Sequence, residues 1–335
     1  MNIMFTRMKV NYEYYRHIFE LHRKGIYVPL YNGASIDGTA PEIYNEYGEK
    51  MDVYYFRDIH STNHPYGDKS RYFIMDRYNY GLDTHIYSNK MMLFQQGKPT
   101  RKYGMMIESR KIAYEEYDFM EKHMSLLKEF DKIFTYDEKM LNDLSNASFF
   151  PAAATVWYKK GNLSLEDENN YERKSKNLSI ISSHKKMCEM HTVRSGVAWE
   201  CKKRNDVDTY GTFDGSAWSP SIDEVFKDYR FSIVIENDIT DYYYTEKILN
   251  CFAAQTIPVY LGARKIDQYF NGDGIISITL DDLKDLDKMV SKCTIEEYNQ
   301  RIPAILDNYK RVKRYTRLGD ILYNLIEPSK NIFGE

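Results

Sequence analysis

The sequence predicts an α/β protein built on parallel, doubly wound sheets in two domains. Three observations carry this. The chain has 335 residues, too long for one typical domain and comfortable for two. Its second half alternates short β-forming runs with helical stretches, at a spacing that implies parallel strands joined by helical crossovers. Within that half, residues 231–235 (FSIVI) form an almost unbroken apolar run, the pattern of a strand covered on both faces.

Composition narrows the function. Hydrophobic residues make up 43% and charged residues 28%, the balance of a soluble globular chain. A formal net charge of −3 gives no global attraction to nucleic acid, so an anionic ligand has to be held by local charges. No apolar run is long enough to span a bilayer, and the first residues lack the apolar stretch of a signal peptide. The expected location is cytoplasmic. Cys188, Cys201, Cys251 and Cys293 are scattered without CxxC spacing, so they read as small buried apolar residues rather than a disulfide framework or a zinc site. The 31 tyrosines suit sugar stacking, but tyrosine also fills cores.

In chain order, residues 26–30 and 51–56 read as short strands. Residues 113–130 read as a helix, 132–135 as a strand, and 141–144 as the start of another helix. The charge-dense segment 163–177 reads as an interdomain linker. Strands are then expected at 178–181, 207–210, 231–235, 257–261 and 275–278. Helices are expected at 193–203, 222–226 and 245–254, with one or two more over 295–326 packing back across both domains. This gives an N-terminal domain over 1–162, the linker, a C-terminal domain over 178–308 and a helical extension over 309–335.

The candidate site sits where the 231–235 strand ends, at Glu236 and Asn237. In open α/β sheets ligands bind at the carboxyl ends of strands. Thr245 can cap the next helix, and Glu246 suits the helix dipole. Lys247 does not, because a cation is disfavoured at a helix N-terminus. A bound diphosphate would resolve that conflict. A generic β-α-β unit with a solvated Glu246–Lys247 pair fits these residues equally well.

The string IENDITDYYYTEKILNCFAAQTIPVYLGA resembles the donor-binding signature of the α-1,3-fucosyltransferase family. Glu236, Asn237, Tyr243, Thr245, Glu246, Lys247, Thr256, Pro258 and Gly262 match in register; Tyr242 and Tyr244 depart, standing where the family has Asp and Val. LSIISSHKKMCEMHTVRSGVAW resembles the family's strand, loop and arginine-bearing helix, which carries its phosphate-binding arginine onto Arg194. Guanidinium suits phosphate; a surface arginine is the plain alternative. MMIESRKI followed by EFDKIFTYD resembles the stretch bearing the family's proposed base, which falls on Glu108; a Glu108 paired with Arg110 or Lys111 is the alternative. The resemblance implies two Rossmann-like domains facing a central cleft (GT-B) and inversion at the anomeric carbon. The nucleotide sugar, GDP-fucose, would bind in the C-terminal domain and a glycan acceptor in the N-terminal one. The acceptor would be a glycan, with a lipid-linked or cell-surface polysaccharide precursor the expected kind.

Other features weigh less. Asp206-x-Asp208 and Asp285-x-Asp287 match a short metal-binding pattern, but Arg194 and Lys247 supply positive charge, so no metal or other cofactor is expected. His60 and His64 have helical ligand spacing in a loop-like sequence. Arg77, Tyr78 and Tyr80 could line the acceptor site or pack the core. Lys310, Arg311, Lys313, Arg314 and Arg317 suit peripheral contact with an anionic membrane or a solvated helix face. Transfer of another nucleotide-activated sugar and a silent glycan- or nucleotide-binding role remain the alternatives; a nicotinamide dehydrogenase is disfavoured by the lack of GxGxxG.

Overall fold

The computed structural model describes residues 3–24, 38–58, 70–77, 79–93, 95–152, 154–217 and 221–334. The chain divides into two compact units, Met1–Ala152 with Gly319–Glu335, and Ala153–Leu318.

The first unit runs α1 (Ile3–Arg23), β1 (Asp52–Arg57), β2 (Phe73–Asp76), β3 (Thr84–Ser88), β4 (Arg101–Met106), α2 (Tyr114–Lys122), α3 (Met124–Leu127), β5 (Lys132–Thr135), α4 (Glu138–Asp143) and β6 (Ala147–Phe149). All strand pairs are parallel, in the order β2-β1-β3-β4-β5-β6. The central strand β3 is buried along its whole length, while the edge strand β6 is half-buried. Tyr55, Tyr87, Tyr117, Met92, Met106 and Ile133 build one core cluster, so the tyrosine count is partly a matter of packing. The expected helix over 113–130 is broken at His123, whose φ of −133° and ψ of 50° are not helical. The strand expected at 26–30 lies outside the described residues.

The second unit runs β7 (Lys176–Ile181), α5 (Glu189–Lys202), β8 (Asp208–Tyr210), α6 (Asp223–Phe226), β9 (Tyr229–Ile235), α7 (Glu246–Ala253), β10 (Ile257–Leu261), β11 (Ile276–Ser277), α8 (Leu286–Ser291), α9 (Ile295–Gln300) and α10 (Ile302–Val312). Its sheet is also parallel throughout, in the order β11-β10-β9-β7-β8. Counted from its own first strand this is 2-1-3-4-5, the order in which the first unit also begins. The apolar run is explained by position: β9 lies between β7 and β10, buried on both faces.

The segment 163–177 is not an open connector. It forms a 3-10 helix, Leu165–Arg173, and then enters β7. The Gln255 amide donates to Asp167 O (2.8 Å) and Glu168 O (3.0 Å) and accepts from Tyr171 N (2.6 Å). Lys174 is buried, and its Nζ donates to the carbonyls of Phe226 (3.0 Å) and Ala254 (2.6 Å). The boundary falls instead at 152/153, ahead of the expected linker. A charge-rich sequence misleads here because two of its charges, Asp167 and Lys174, are buried and bonded within the unit.

The C-terminal stretch is more broken than expected. Pro303 opens α10 immediately after α9, a 3-10 turn follows at Lys313–Thr316, and then α11 (Leu318–Ile326). Residues after Leu318 belong to the first unit. There the Asp320 carboxylate accepts from Ser70 Oγ (2.7 Å), and Tyr323 donates to Asp52 (2.8 Å) while stacking on Tyr72. Among the described residues no helix is long and apolar enough to cross a membrane.

Candidate functional site

The site begins with a buried carboxylate. Glu236 follows β9 and is fully buried. Its Oε1 accepts from Thr245 N (2.9 Å); its Oε2 accepts from Thr245 Oγ1 (2.8 Å) and Lys247 Nζ (3.2 Å). Lys247 Nζ also donates to Thr245 Oγ1 (2.8 Å) and pairs with Glu246 (3.2 Å). Burial alone would lower the Lys247 pKa, but the Glu236 and Glu246 carboxylates outweigh it and the net shift is upward. The conflict between a lysine and a helix N-terminus is therefore settled inside the protein, by Glu236, without any bound anion. Gly262 is required beside it: a Cβ there would lie 2.6 Å from Glu236 Cγ.

Arg194 projects from the second turn of α5 and is 7% exposed. Its Nη1 donates to Ile235 O (2.6 Å) and Asn237 Oδ1 (3.1 Å), tying α5 to the end of β9. Burial lowers its pKa, opposed by Glu236 and Glu246, and a guanidinium remains charged throughout. His191, one turn earlier on α5, is buried; desolvation and the charges of Arg194 and Lys247 push it down to about 4, so it is neutral at pH 7.

These groups edge a cavity of about 350 Å³ at the carboxyl ends of β7 and β9. That is the switch point of the sheet, where crossovers leave in opposite directions. Ile181, Ile222, Phe226, Ile233, Val234 and Trp157 supply apolar lining; Lys185, His191, Arg194, Asn237, Glu246 and Lys247 are among its polar residues. Gly211 lets the chain close against β7, with φ +97° and its would-be Cβ 2.1 Å from Ser182 O.

Of the expected donor residues, Arg194, Asn237, Glu246 and Lys247 line the cavity. Glu236 and Thr245 are buried beside them as supports. Tyr243 is buried, its N–H donates to Thr240 Oγ1 (3.0 Å), and it is not part of the lining. Tyr242 lies against Lys265, whose Nζ is 5.2 Å from the ring centre. Tyr244 is fully buried among Tyr269, Phe270 and Tyr315, with its hydroxyl 3.0 Å from that of Tyr315. Its departure from the family pattern is a packing choice.

Sequence reasoning missed His191, His184, Lys185, Thr212, Asn250 and Trp157. The polar SSHKK loop after the 178–181 strand was a usable signal for His184 and Lys185, since it leaves a strand's carboxyl end. Trp157 had none: its backbone N–H is held by Asn250 Oδ1 (2.8 Å), a contact 93 residues away in sequence.

In the first unit Glu108 follows β4 and is exposed. It is not paired with Arg110, which binds Asp137 (2.7 Å) and Glu121 (2.7 Å) instead. Glu108 Oε1 accepts from Ser109 N (2.7 Å), and its backbone carbonyl accepts from the hydroxyls of Tyr117 and Tyr136 (3.0 Å each). Asp58 follows β1, and its carboxylate accepts from Ser88 Oγ (3.0 Å). Glu116 opens α2; burial raises its pKa, with Glu108 and Asp58 adding to the rise against Lys90. Tyr80 packs on the core cluster, and Arg77 lies 5.1 Å over the Phe56 ring. Tyr78, His60 and His64 lie outside the described residues.

The Asp-x-Asp pairs are engaged elsewhere. Asp206 binds Arg204 (2.8 Å), Asp208 pairs with Lys176 (3.4 Å), Asp285 caps α8 (3.0 Å) and Asp287 pairs with Arg204. No cluster of three or more potential metal ligands occurs among the described residues.

Residues 171–315 match the C-terminal domain of glycosyltransferase family 10 (fucosyltransferase), a span that holds every polar residue of the cavity's lining. That span is under half of the chain and lies within the second unit, which is thus similar to a family 10 fucosyltransferase C-terminal domain. No curated protein sequence matches the chain significantly. Among solved structures, an alpha1,3-fucosyltransferase with GDP is similar at 14% identity and TM-score 0.50, over 89% of this chain and 94% of that one. HepE of Anabaena, in complex with UDP-glucose, is similar at 8% identity and TM-score 0.50, over 76% of this chain and 80% of that one. At such identities the likeness is one of fold, the pair of parallel-sheet α/β domains of GT-B glycosyltransferases. The match begins at Tyr171, inside the 3-10 helix within the expected linker.

Proposed function

We propose that this protein moves fucose from GDP-fucose to a hydroxyl of a glycan acceptor, inverting the anomeric carbon. One observation carries the reading: Arg194 and Lys247 edge a switch-point cavity with apolar lining beside them, within the span similar to the family 10 domain. Arg194 and Lys247 hold the diphosphate, and Asn237 orients Arg194. Glu246, at the cavity edge, accepts hydrogen bonds from ribose hydroxyls. Glu236, Thr245 and Tyr243 fix the frame around them.

The acceptor oxygen forms its bond to the anomeric carbon as the bond to the diphosphate oxygen breaks. The leaving GDP carries off the electron pair. Arg194 and Lys247 are already fixed by hydrogen bonds, so they stabilise that growing charge without reorganising. Glu108, exposed at the end of β4, takes the acceptor's proton. Arg77, Tyr78 and Tyr80 belong to the acceptor side of this proposal, and a lipid-linked or cell-surface polysaccharide precursor is the acceptor class it favours. Neither GDP binding nor proton transfer in this scheme uses a metal.

A second reading, transfer of a different nucleotide-activated sugar, is favoured by one observation: HepE, a structural neighbour of the same TM-score, is bound to UDP-glucose. Titration calorimetry against GDP, UDP, CDP and their sugars decides between them. GDP-fucose is expected to bind and turn over. Binding of UDP-glucose alone would replace the first reading by the second, and failure to bind any nucleotide diphosphate would remove both.

A further inference from the structure

The first helix presents an apolar stripe that the transfer reaction does not use. α1 is 21 residues long. One side of it meets the first unit: Thr6 is buried, Arg7 Nη2 lies 3.4 Å from Glu129, and Glu13 lies 3.2 Å from Lys90. Elsewhere on the helix Met4, Phe5, Met8, Tyr12 and Phe19 are between 59% and 67% exposed. At 3.6 residues per turn these five positions fall within an arc of about 100°.

The charges around that arc are ordered. No acidic residue falls inside it. Arg23, Arg16 and Lys9 follow one another along one border, and Arg7 stands beyond the other. Counting Lys24, this stretch holds five Lys or Arg against two Glu, in a chain whose formal net charge is −3. Among the described residues Lys9 pairs with the half-buried Glu13 at 3.8 Å and Arg16 with the exposed Glu20 at 3.6 Å, long contacts that can be given up to another anion.

We propose that α1 lays this arc flat on an anionic lipid surface. Phe and Met enter the acyl boundary, Tyr12 sits at headgroup level, and Lys9, Arg16 and Arg23 meet lipid phosphates. Charge complementarity selects this occupant. A second copy docked arc to arc would bring cationic borders toward one another, whereas an anionic bilayer neutralises them. The proposal does not depend on which sugar nucleotide the cavity holds.

Flotation of the full chain with phosphatidylcholine vesicles, with and without phosphatidylglycerol, tests it. Binding is expected only with the anionic lipid, and to weaken more than about tenfold in high salt. M8D/F19D is expected to abolish flotation, and K9E/R16E to weaken it by more than about tenfold, both with unchanged GDP calorimetry and circular dichroism. Wild-type protein that stays with the soluble fraction, or an M8D/F19D variant that floats as wild type does, overturns the proposal. So does a solution dimer that M8D/F19D converts to monomer, because a second copy then covers the arc.

Discussion

Two sheets with the same opening strand order carry different charged groups at their strand ends. At the switch point of the second unit the chain places Lys185, Arg194 and Lys247 around a cavity, with Glu246 beside them and Glu236 buried behind. At the carboxyl edge of the first unit it places Asp58, Glu108 and Glu116, and the carboxylates of Glu108 and Asp58 help to raise the pKa of Glu116. A cationic edge suits a leaving diphosphate. An acidic edge would repel that group and suits a neutral hydroxyl that must lose a proton. In the proposed reaction one topology serves both the leaving group and the acceptor, because loops at strand ends vary while the sheet beneath them does not.

The contrast can be broken most severely at Glu108. Glu108→Gln is expected to lower kcat by about 10²–10⁴ while leaving the GDP-fucose dissociation constant unchanged. Wild-type turnover in this variant would deprive the acidic edge of its role. On the cationic edge, Glu236→Gln leaves Lys247 without its buried partner. Urea unfolding should show a loss of about 3 kcal/mol, with weaker GDP binding alongside; unchanged stability would mean that Glu236 does not anchor the site.

Acid offers a comparison across both units. Burial pushes His85 in the first unit down to about 4, and His191 in the second falls equally low. Both folded values lie below the ordinary 6.5, so the unfolded chain binds more protons between them. Stability is present above pH 6.5 and falls toward pH 4, by up to about 3 kcal/mol per histidine. GDP beside His191 should diminish its share and leave that of His85 untouched, readable as a ligand-dependent slope in His191→Gln against His85→Gln. A smaller loss, about 10–100-fold in GDP affinity, is expected for Arg194→Ala from the removal of one charged hydrogen-bonding group. Smallest is Tyr244→Phe, which should cost about 1 kcal/mol of stability without changing GDP binding. A changed affinity there would return Tyr244 to the donor site.

The second unit was the more legible in sequence, for a physical reason. Strands such as β9 and β10 are buried on both faces and therefore announce themselves as apolar runs, and the residues that follow them in sequence also follow them in space. Glu236, Asn237, Glu246 and Lys247 are found that way. What the sequence concealed were partners brought in from afar. The role of Glu236 as counter-ion to Lys247 spans a loop, Arg194 reaches Ile235 O across 41 residues, and Trp157 depends on Asn250. The segment 163–177 misled because polarity alone does not distinguish a solvated linker from one hydrogen-bonded through Gln255 and Lys174.

The return of residues after Leu318 to the first unit makes the second unit an insertion within the first. Synthesis proceeds from the N-terminus, and domains tend to fold as they emerge. The second unit contains all of its own strands and needs nothing from α11 beyond Leu318, whereas the first unit is incomplete without it. Tyr54 and Arg101 wait for Glu327, and Ser70 waits for Asp320. A chain stopped at Leu318 would retain every residue of the cavity lining but lose the rest of α11, so such a truncation should loosen the first unit while sparing the second.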